Sequence, residues 1–283
     1  MTDLMLLAVP NVSEGRDVAA LDAIGAAFEA GGARLLDRHA DRDHHRAVFT
    51  LAAAPGALAR AVLAGVREAV ARIDLTHHRG EHPRVGAVDV APVVFLDRAD
   101  RGAACAEALV LADALGDRLR LPVYLYGALA DGRTRAQLRR GGPAALIARA
   151  APDYGPPRLH PTAGAVLVAA RPPLIAFNVE LAPPATLATA RAIAAAIREG
   201  GAEGLPGVRA IGVQLAHAAQ VSTNVEDHVA TSPAQVVAAV ARHAPVGGAE
   251  LVALAPRAAL RDFPPDVPLR NRALIEDRLD ATR

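Results

Sequence analysis

The sequence predicts an α/β (α+β) chain of two tandem ferredoxin-like, or split βαβ, subdomains with a cleft between them. Three observations point there. Short runs rich in Val, Leu and Ile alternate with Ala/Leu/Arg stretches of helical period. The first half follows the order β-α-β-β-α-β and then adds α-β. From Leu174 onward the β-α-β-β-α-β order returns, with no visible sequence repeat. The expected subdomains are 1–173 and 174–283, and an interface between two such units is a common place for a ligand cleft.

The expected strands of the first subdomain are Leu4–Pro10, Ala33–Asp37, Ala47–Ala53, Gly86–Leu96 and Pro122–Tyr126. Its helices are Val18–Ala30, Gly56–Ile73 and Ala103–Arg120. The region Asp131–Pro161 is rich in Arg, Gly and Pro and reads as the join between subdomains. Strands then follow at Ala165–Ala170, Leu174–Leu181, Val208–Leu215, Gln220–Val225 and Glu250–Ala255, the first two reading as a hairpin. Helices fall at Pro184–Arg198, Pro233–Ala244 and Asn271–Leu279.

Composition narrows the chemistry. The chain has 283 residues, of which 52% are apolar, enough for one large core or two modest ones. A net charge of +1 is unlike the clustered basic footprint of a nucleic-acid binder. Every basic residue other than His is Arg. Without Lys there is no Schiff-base catalysis, pyridoxal-phosphate attachment or P-loop lysine. The single cysteine, Cys105, reads as a small buried hydrophobe, forbids an internal disulfide and favours a cytoplasmic location. No run of about 18 apolar residues exists to span a membrane, and the N-terminus lacks a basic region typical of a signal peptide.

Six of the ten histidines fall between positions 39 and 82. The segment DRHADRDHHR (37–46) offers Asp37, His39, Asp41, His44 and His45, which suit a transition metal by type but match no defined ligand spacing. No metal is therefore expected, and a polar loop between strands is the simpler reading. His77 and His78 follow a helix, where its dipole favours cations. His82 sits between Gly80 and Pro83, in GEHPR. Proline disfavours the α region for the residue before it, so His82 is expected extended, on a tight loop leading into a strand. Asn11, Ser13 and Glu14 in PNVSEGRD (10–17) are candidates to cap the following helix, or to mark a turn offering backbone N–H groups to an anion. The stiff loop containing Gly155, Pro156, Pro157, Pro161 and Gly164 is either a connector or a surface for a planar ligand.

Several motifs stand in one order: VPNVSEGRD (9–17), LLD (35–37), R-x-V-x-T (46–50), GEHPRVGAVDVAP (80–92), PVYLYG (122–127), PDYGP (152–156), LIAFNVEL (174–181) and AQVSTNVED (219–227). In this order and across most of its length the chain resembles the glutamate formimidoyltransferase (formiminotransferase) family. The resemblance implies two α/β subdomains with substrates in a cleft between them, in a homodimer. It implies that His82 is catalytic. It assigns folate binding to Gly155, Pro156, Pro157, Arg158, Leu159, His160, Pro161, Thr162, Ala163 and Gly164. Substrate contacts are expected from His39, His45, Arg46, Arg84, Arg171 and Asn178. The chain ends before the cyclodeaminase domain that some members carry, so a stand-alone transferase is expected. Three departures stand out: His39 replaces the family's Asp, His45 replaces its Asn, and VAARPP (168–173) replaces T-G-A-R-K-F.

The implied reaction moves a formimidoyl group from N-formimidoyl-L-glutamate to N5 of tetrahydrofolate, a co-substrate, in histidine degradation. One neutral His suits the proton traffic at cellular pH, and Arg suits the substrate carboxylates. Both partners are small molecules; no nucleic acid and no membrane is expected. The changed His39 and His45 keep other readings open: formimidoyl or formyl transfer on another amine, amidine hydrolysis, a non-catalytic folate binder, and last a metal-dependent hydrolase on the 37–46 loop.

Overall fold

The computed structural model describes residues 4–78 and 83–281. The chain divides into two compact units, Met1–Pro172 and Pro173–Arg283. The first contains β1 (Leu6–Ala8), β2 (Asn11–Val12), α1 (Val18–Ala30), β3 (Arg34–Asp41), β4 (Arg46–Ala53), α2 (Leu58–Arg72), β5 (Val88–Val94), α3 (Arg101–Arg118), β6 (Val123–Leu125), α4 (Arg135–Arg139), α5 (Gly142–Arg149) and β7 (Val166–Arg171). The second contains β8 (Ile175–Leu181), α6 (Leu187–Ile197), β9 (Val208–Gln214), β10 (Ala219–Val225), α7 (Pro233–Ala241), β11 (Val246–Leu251), β12 (Leu269–Arg270) and α8 (Ile275–Asp280).

β1 and β2 are halves of one strand, broken at Val9–Pro10, where Pro10 has no N–H to give to a ladder. The break stays bonded, since Val9 N–H reaches Pro92 O at 3.1 Å and Pro10 O accepts from Phe49 N–H at 3.0 Å. Counting them as one strand, the sheet runs β3-β4-β1/β2-β5 with every pair antiparallel. The second unit repeats the arrangement as β9-β10-β8-β11, again antiparallel throughout. Both are the ferredoxin-like order expected from the sequence. Each sheet is then extended by parallel strands: β7 and β6 beyond β5, and β12 beyond β11.

The extension corrects the sequence reading in three places. Asp131–Pro161 does not join the units; it carries α4 and α5 as a crossover inside the first. A parallel partner for β6 requires such a crossover. β7 and β8 belong to different sheets and form no hairpin. β11 lies four residues before the expected Glu250–Ala255, because its first half is the uninformative Val-Gly-Gly.

In the first unit, α1, α2 and α3 cover one face of the sheet, burying Phe28, Leu58, Val62, Leu111 and Leu115 against Leu6, Phe49 and Val93. Such side chains contribute about 1.5–3 kcal/mol each when fully buried. A smaller cluster, including Tyr124, Leu138, Leu146 and Leu167, lies under α4 and α5 on the other face. In the second unit α6 and α7 bury Phe177, Val179, Ile193, Val221 and Val236 against one face. Capping boxes open both helices, at Thr186/Thr189 and Ser232/Gln235.

α2 lacks a side-chain cap from its own chain start. Glu107 of α3 supplies it: its buried carboxylate accepts from Gly56 N–H at 2.8 Å and Ala59 N–H at 2.6 Å. Removing that carboxylate strands the buried Ala59 N–H and uncaps the Gly56 N–H. Glu107→Ala is expected to lower unfolding free energy by about 1–3 kcal/mol in urea titration, with an unchanged m-value. A loss below about 0.5 kcal/mol would remove Glu107 as the cap of α2.

Candidate active site

One end of the first sheet collects most of the first unit's motifs. β2 and β3 finish there, while β4, β5 and β7 start there. The loop residues 13–17, 42–45, 73–78, 83–87 and 153–165 therefore share that end. Backbone bonds lock them together. Ser13 gives its N–H to Ala87 O and its Oγ–H to Gly86 O, both at 2.8 Å. From the other side Ala87 N–H reaches Ala163 O at 2.9 Å, and Ala165 N–H reaches Val85 O at 2.9 Å. Only glycine fits at 86, where a Cβ would stand 1.7 Å from Ala165 O. Gly164, opposite it, adopts φ +68°.

The centre of this end is a buried carboxylate. Between Asn11 and Val12 the pairing with β5 slips from Val90 to Val88, which makes Asp89 the extra residue of a β-bulge. Asp89 is 1% exposed. Arg139 of α4 bonds it through Nη2, and through Nε at 3.3 Å. Arg46 Nη1 lies 3.5 Å away, and Val85 N–H donates at 3.0 Å. Burial alone would raise the Asp89 pKa, but Arg139 and Arg46 outweigh it and hold the carboxyl below its ordinary range. Arg46 is itself fixed from the other side, since Nε donates to Asn11 Oδ1 at 2.9 Å and Nη2 bonds the same oxygen. Asn11 is held by its own amide, which donates to Val9 O at 2.9 Å. Burial, with the cations Arg139, Arg135 and Arg84 nearby, pushes Arg46 down to about 9 despite Asp89, and it stays charged at neutral pH.

Beside this triad stand two stacked imidazoles. The His45 and His78 rings lie 4.2 Å apart at 29°. His45 is the last residue of the β3–β4 turn and takes φ +48°, a left-handed conformation that His tolerates better than most side chains. Gly15 N–H donates to His45 Nδ1 at 3.1 Å, so the neutral ring carries its proton on Nε2. Burial lowers the His45 pKa; Glu14, 3.4 Å away, opposes it, and Arg16 and Arg84 add to it. His78 falls to about 4, first by burial, then by Arg84 and His45. The Arg84 guanidinium sits on the His78 ring, with Nη1 2.9 Å from Nε2. Glu14 Oε1 accepts the N–H groups of Gly15, Arg16 and Asp17 at 2.7–3.0 Å.

Several sequence expectations change here. The cap of α1 is Asp17, which accepts from Ala20 N–H at 3.0 Å, and not Asn11, Ser13 or Glu14. His78 lies six residues beyond the end of α2, outside reach of its dipole, and belongs to the site. The 37–46 segment satisfies itself: Asp41 accepts the N–H groups of Asp43 and His44 at 2.8 Å and pairs with the His44 ring at 2.8 Å. Burial would raise Asp41, yet the His44 contacts take it down to about 2. Among the described residues no three His, Cys, Asp or Glu side chains converge as metal ligands. No described helix is long and apolar enough to cross a membrane.

Of the expected site residues, His45, Arg46 and Arg84 come together. His39 lies on β3 opposite Val48, on the same face as Asp41. His82 lies outside the described residues. The 155–164 loop has two halves. Gly155, Pro156, Pro157 and Arg158 line an open depression of about 470 Å³ with Tyr154 and the C-terminal turns of α3. His160 to Gly164 form a tight turn against 85–87, with His160 Nδ1 accepting from Ala163 N–H at 3.1 Å and Thr162 O accepting from Leu75 N–H at 2.8 Å. One expectation within the first unit does not join the cluster. Arg171 ends β7, at the opposite end of the sheet from Arg46, because a six-residue strand separates it from the loop end. Asn178 belongs to β8 of the second unit. The sequence reading missed Asp89 and Arg139. A lone Asp inside VGAVDVAPVV was a visible signal for the first; Arg139 had none.

Comparison with known proteins follows the same division. Residues 5–171 match the formiminotransferase domain, N-terminal subdomain, and residues 176–264 match the formiminotransferase domain. A glutamate formimidoyltransferase of Streptococcus pyogenes serotype M1 is 37% identical over 273 residues, covering 90% of both chains. A formimidoyltransferase-cyclodeaminase of Mus musculus is 38% identical over 279 residues, and the chain spans half of that protein's length. A glutamate formimidoyltransferase of Thermoplasma acidophilum is 35% identical over 184 residues, 61% of this chain and 60% of that one. With two matched domains covering most of its length and a relative similar over 90% of both chains, the chain belongs to the formiminotransferase family.

Proposed function

We propose that the chain is a glutamate formimidoyltransferase, moving a formimidoyl group from N-formimidoyl-L-glutamate to N5 of tetrahydrofolate. The observation that carries this, within the family, is the charge at the loop end of the first sheet. Among the described residues, four guanidinium groups, Arg46, Arg84, Arg135 and Arg139, gather at the end that holds the buried carboxylate Asp89. Guanidinium groups gathered at one end of a sheet suit a dicarboxylate substrate. The stacked His45 and His78, both with lowered pKa, add no positive charge at neutral pH and leave room for a cationic amidine.

The N5 lone pair attacks the amidinium carbon, giving a tetrahedral centre with a protonated N5. His82 takes that proton. The glutamate nitrogen receives a proton as its bond to carbon breaks, and L-glutamate leaves with 5-formimidoyltetrahydrofolate as the other product. An imidazole near its ordinary pKa of about 6.5 serves both steps. Arg46, locked by Asn11 and Asp89, positions the start of β4 and contributes field rather than a mobile clamp. The 155–164 loop is the folate-binding segment in this reading. On the family likeness alone, the enzyme acts as a cytoplasmic homodimer in histidine breakdown and one-carbon metabolism.

The test is an assay of purified protein with N-formimidoyl-L-glutamate, with and without tetrahydrofolate. Glutamate release is expected only when tetrahydrofolate is present, and His82→Ala is expected to lower kcat by about 10²–10⁴-fold with the folate affinity kept. Glutamate release without folate would make the protein a hydrolase instead. Full turnover by the alanine variant would remove His82 from the chemistry.

A further inference from the structure

The segment that carries GEHPR is tied at both ends to one turn. Before it, Leu75 N–H donates to Thr162 O at 2.8 Å. After it, Ala87 N–H donates to Ala163 O and Val85 O accepts from Ala165 N–H, both at 2.9 Å. Gly164 fits closely between these ends: a Cβ on it would stand 2.4 Å from Val85 O and 3.3 Å from Leu75 Cδ1. The turn is also closed on itself. His160 and Gly164 exchange backbone hydrogen bonds at 3.0 and 3.1 Å. The His160 ring then bends back, its Nδ1 accepting from Ala163 N–H at 3.1 Å and from Thr162 N–H at 3.4 Å. The backbone groups of His160, Thr162, Ala163 and Gly164 are thus engaged within the protein, and Ala163 is 1% exposed. The first half of the loop differs: Gly155, Pro157 and Arg158 are exposed and line the open depression.

We propose that the 160–164 turn positions the GEHPR segment, with His160 as the positioning residue, and that folate meets the 155–158 half of the loop. This rests on the function proposed above and deepens it by dividing one segment into a binding half and a holding half. A catalytic imidazole acts only where its nitrogen reaches the proton it moves. A displacement of about 1 Å can lower the rate about 10²-fold. Fixing both ends of the segment on one closed turn limits that displacement without any contact to substrate. The His160 ring serves here as an acceptor for backbone N–H groups two and three residues on, the role an Asn side chain plays in an Asx-turn. Asn at position 160 therefore keeps the closure, and Ala removes it. A ring that touched folate instead would lose its contact in both variants.

The experiment compares wild type, His160→Ala and His160→Asn. Amide hydrogen exchange is followed at Leu75 and Ala87, with calorimetric affinity for tetrahydrofolate and kcat with N-formimidoyl-L-glutamate measured in parallel. His160→Ala is expected to exchange about 3–30-fold faster at both amides, as for a lost side-chain cap, with exchange in β8 and β10 unchanged. Its kcat is expected to fall about 10–100-fold while tetrahydrofolate affinity stays at the wild-type value. His160→Asn is expected to restore both exchange and kcat. Weaker tetrahydrofolate binding with kcat kept, in either variant, would make the turn a ligand surface and overturn the assignment. Unchanged exchange in His160→Ala, or an Asn variant as slow as the Ala variant, would overturn it as well. Wild type without transferase activity would overturn the proposed function, and the exchange rates would then decide the holding role by themselves.

Discussion

The loop end of the first sheet depends on one buried charge. Asp89 is enclosed in the protein, and its carboxylate stays ionised only because Arg139 and Arg46 reach it and Val85 donates its N–H. The desolvation of such a group is severe unless pairing is complete. That constraint propagates outward. It pins α4 to the sheet through Arg139 and fixes the start of β4 through Arg46. Through Asn11 it also fixes the broken first strand. The β-bulge that turns Asp89 to this face is the backbone feature that makes the pairing possible.

Around this anchor the two units use the same topology differently. Each has a helix-covered face and a second face. In the first unit α4 and α5 shield part of that second face, and the ion triad occupies it near the loop end. In the second unit the same face carries Asn178, Glu180 and Gln220. Helices packed on one side of a four-stranded antiparallel sheet leave the second face to other groups, and both units place buried polar side chains there. Fold and polar placement are therefore separable: the apolar sets on α1, α2, α3, α6 and α7 build the scaffold, while the alternate strand positions carry the polar groups.

Much of this was legible in the sequence. Period-2 apolar runs and Ala/Leu helical stretches located the strands and helices of both ferredoxin-like units, and the ordered motifs named the family. What remained hidden was long-range. Arg139 is 50 residues from Asp89, and Glu107 is 51 from Gly56, so no local spacing announces either pair. The crossover through α4 and α5 was read as a connector because its Arg, Gly and Pro content resembles one. Its apolar anchors, Leu138 and Leu146, are too few to show a helical stripe. His78 looked like a helix-end cation, whereas burial and Arg84 keep it neutral in a polar cluster.

The direct test of the anchor is the unfolding free energy of Asp89→Asn against wild type as a function of pH. Because the folded-state pKa of Asp89 lies below its unfolded value of about 4, its stabilisation is fully present above that value. It fades as pH falls through the folded-state pKa. The gap between the two proteins is expected to be about 3–5 kcal/mol, level from pH 8 to 5, and to narrow below about pH 4. A gap under about 1 kcal/mol at pH 7, or one that stays constant on acidification, would contradict the role of Asp89 as the charge on which the site is built.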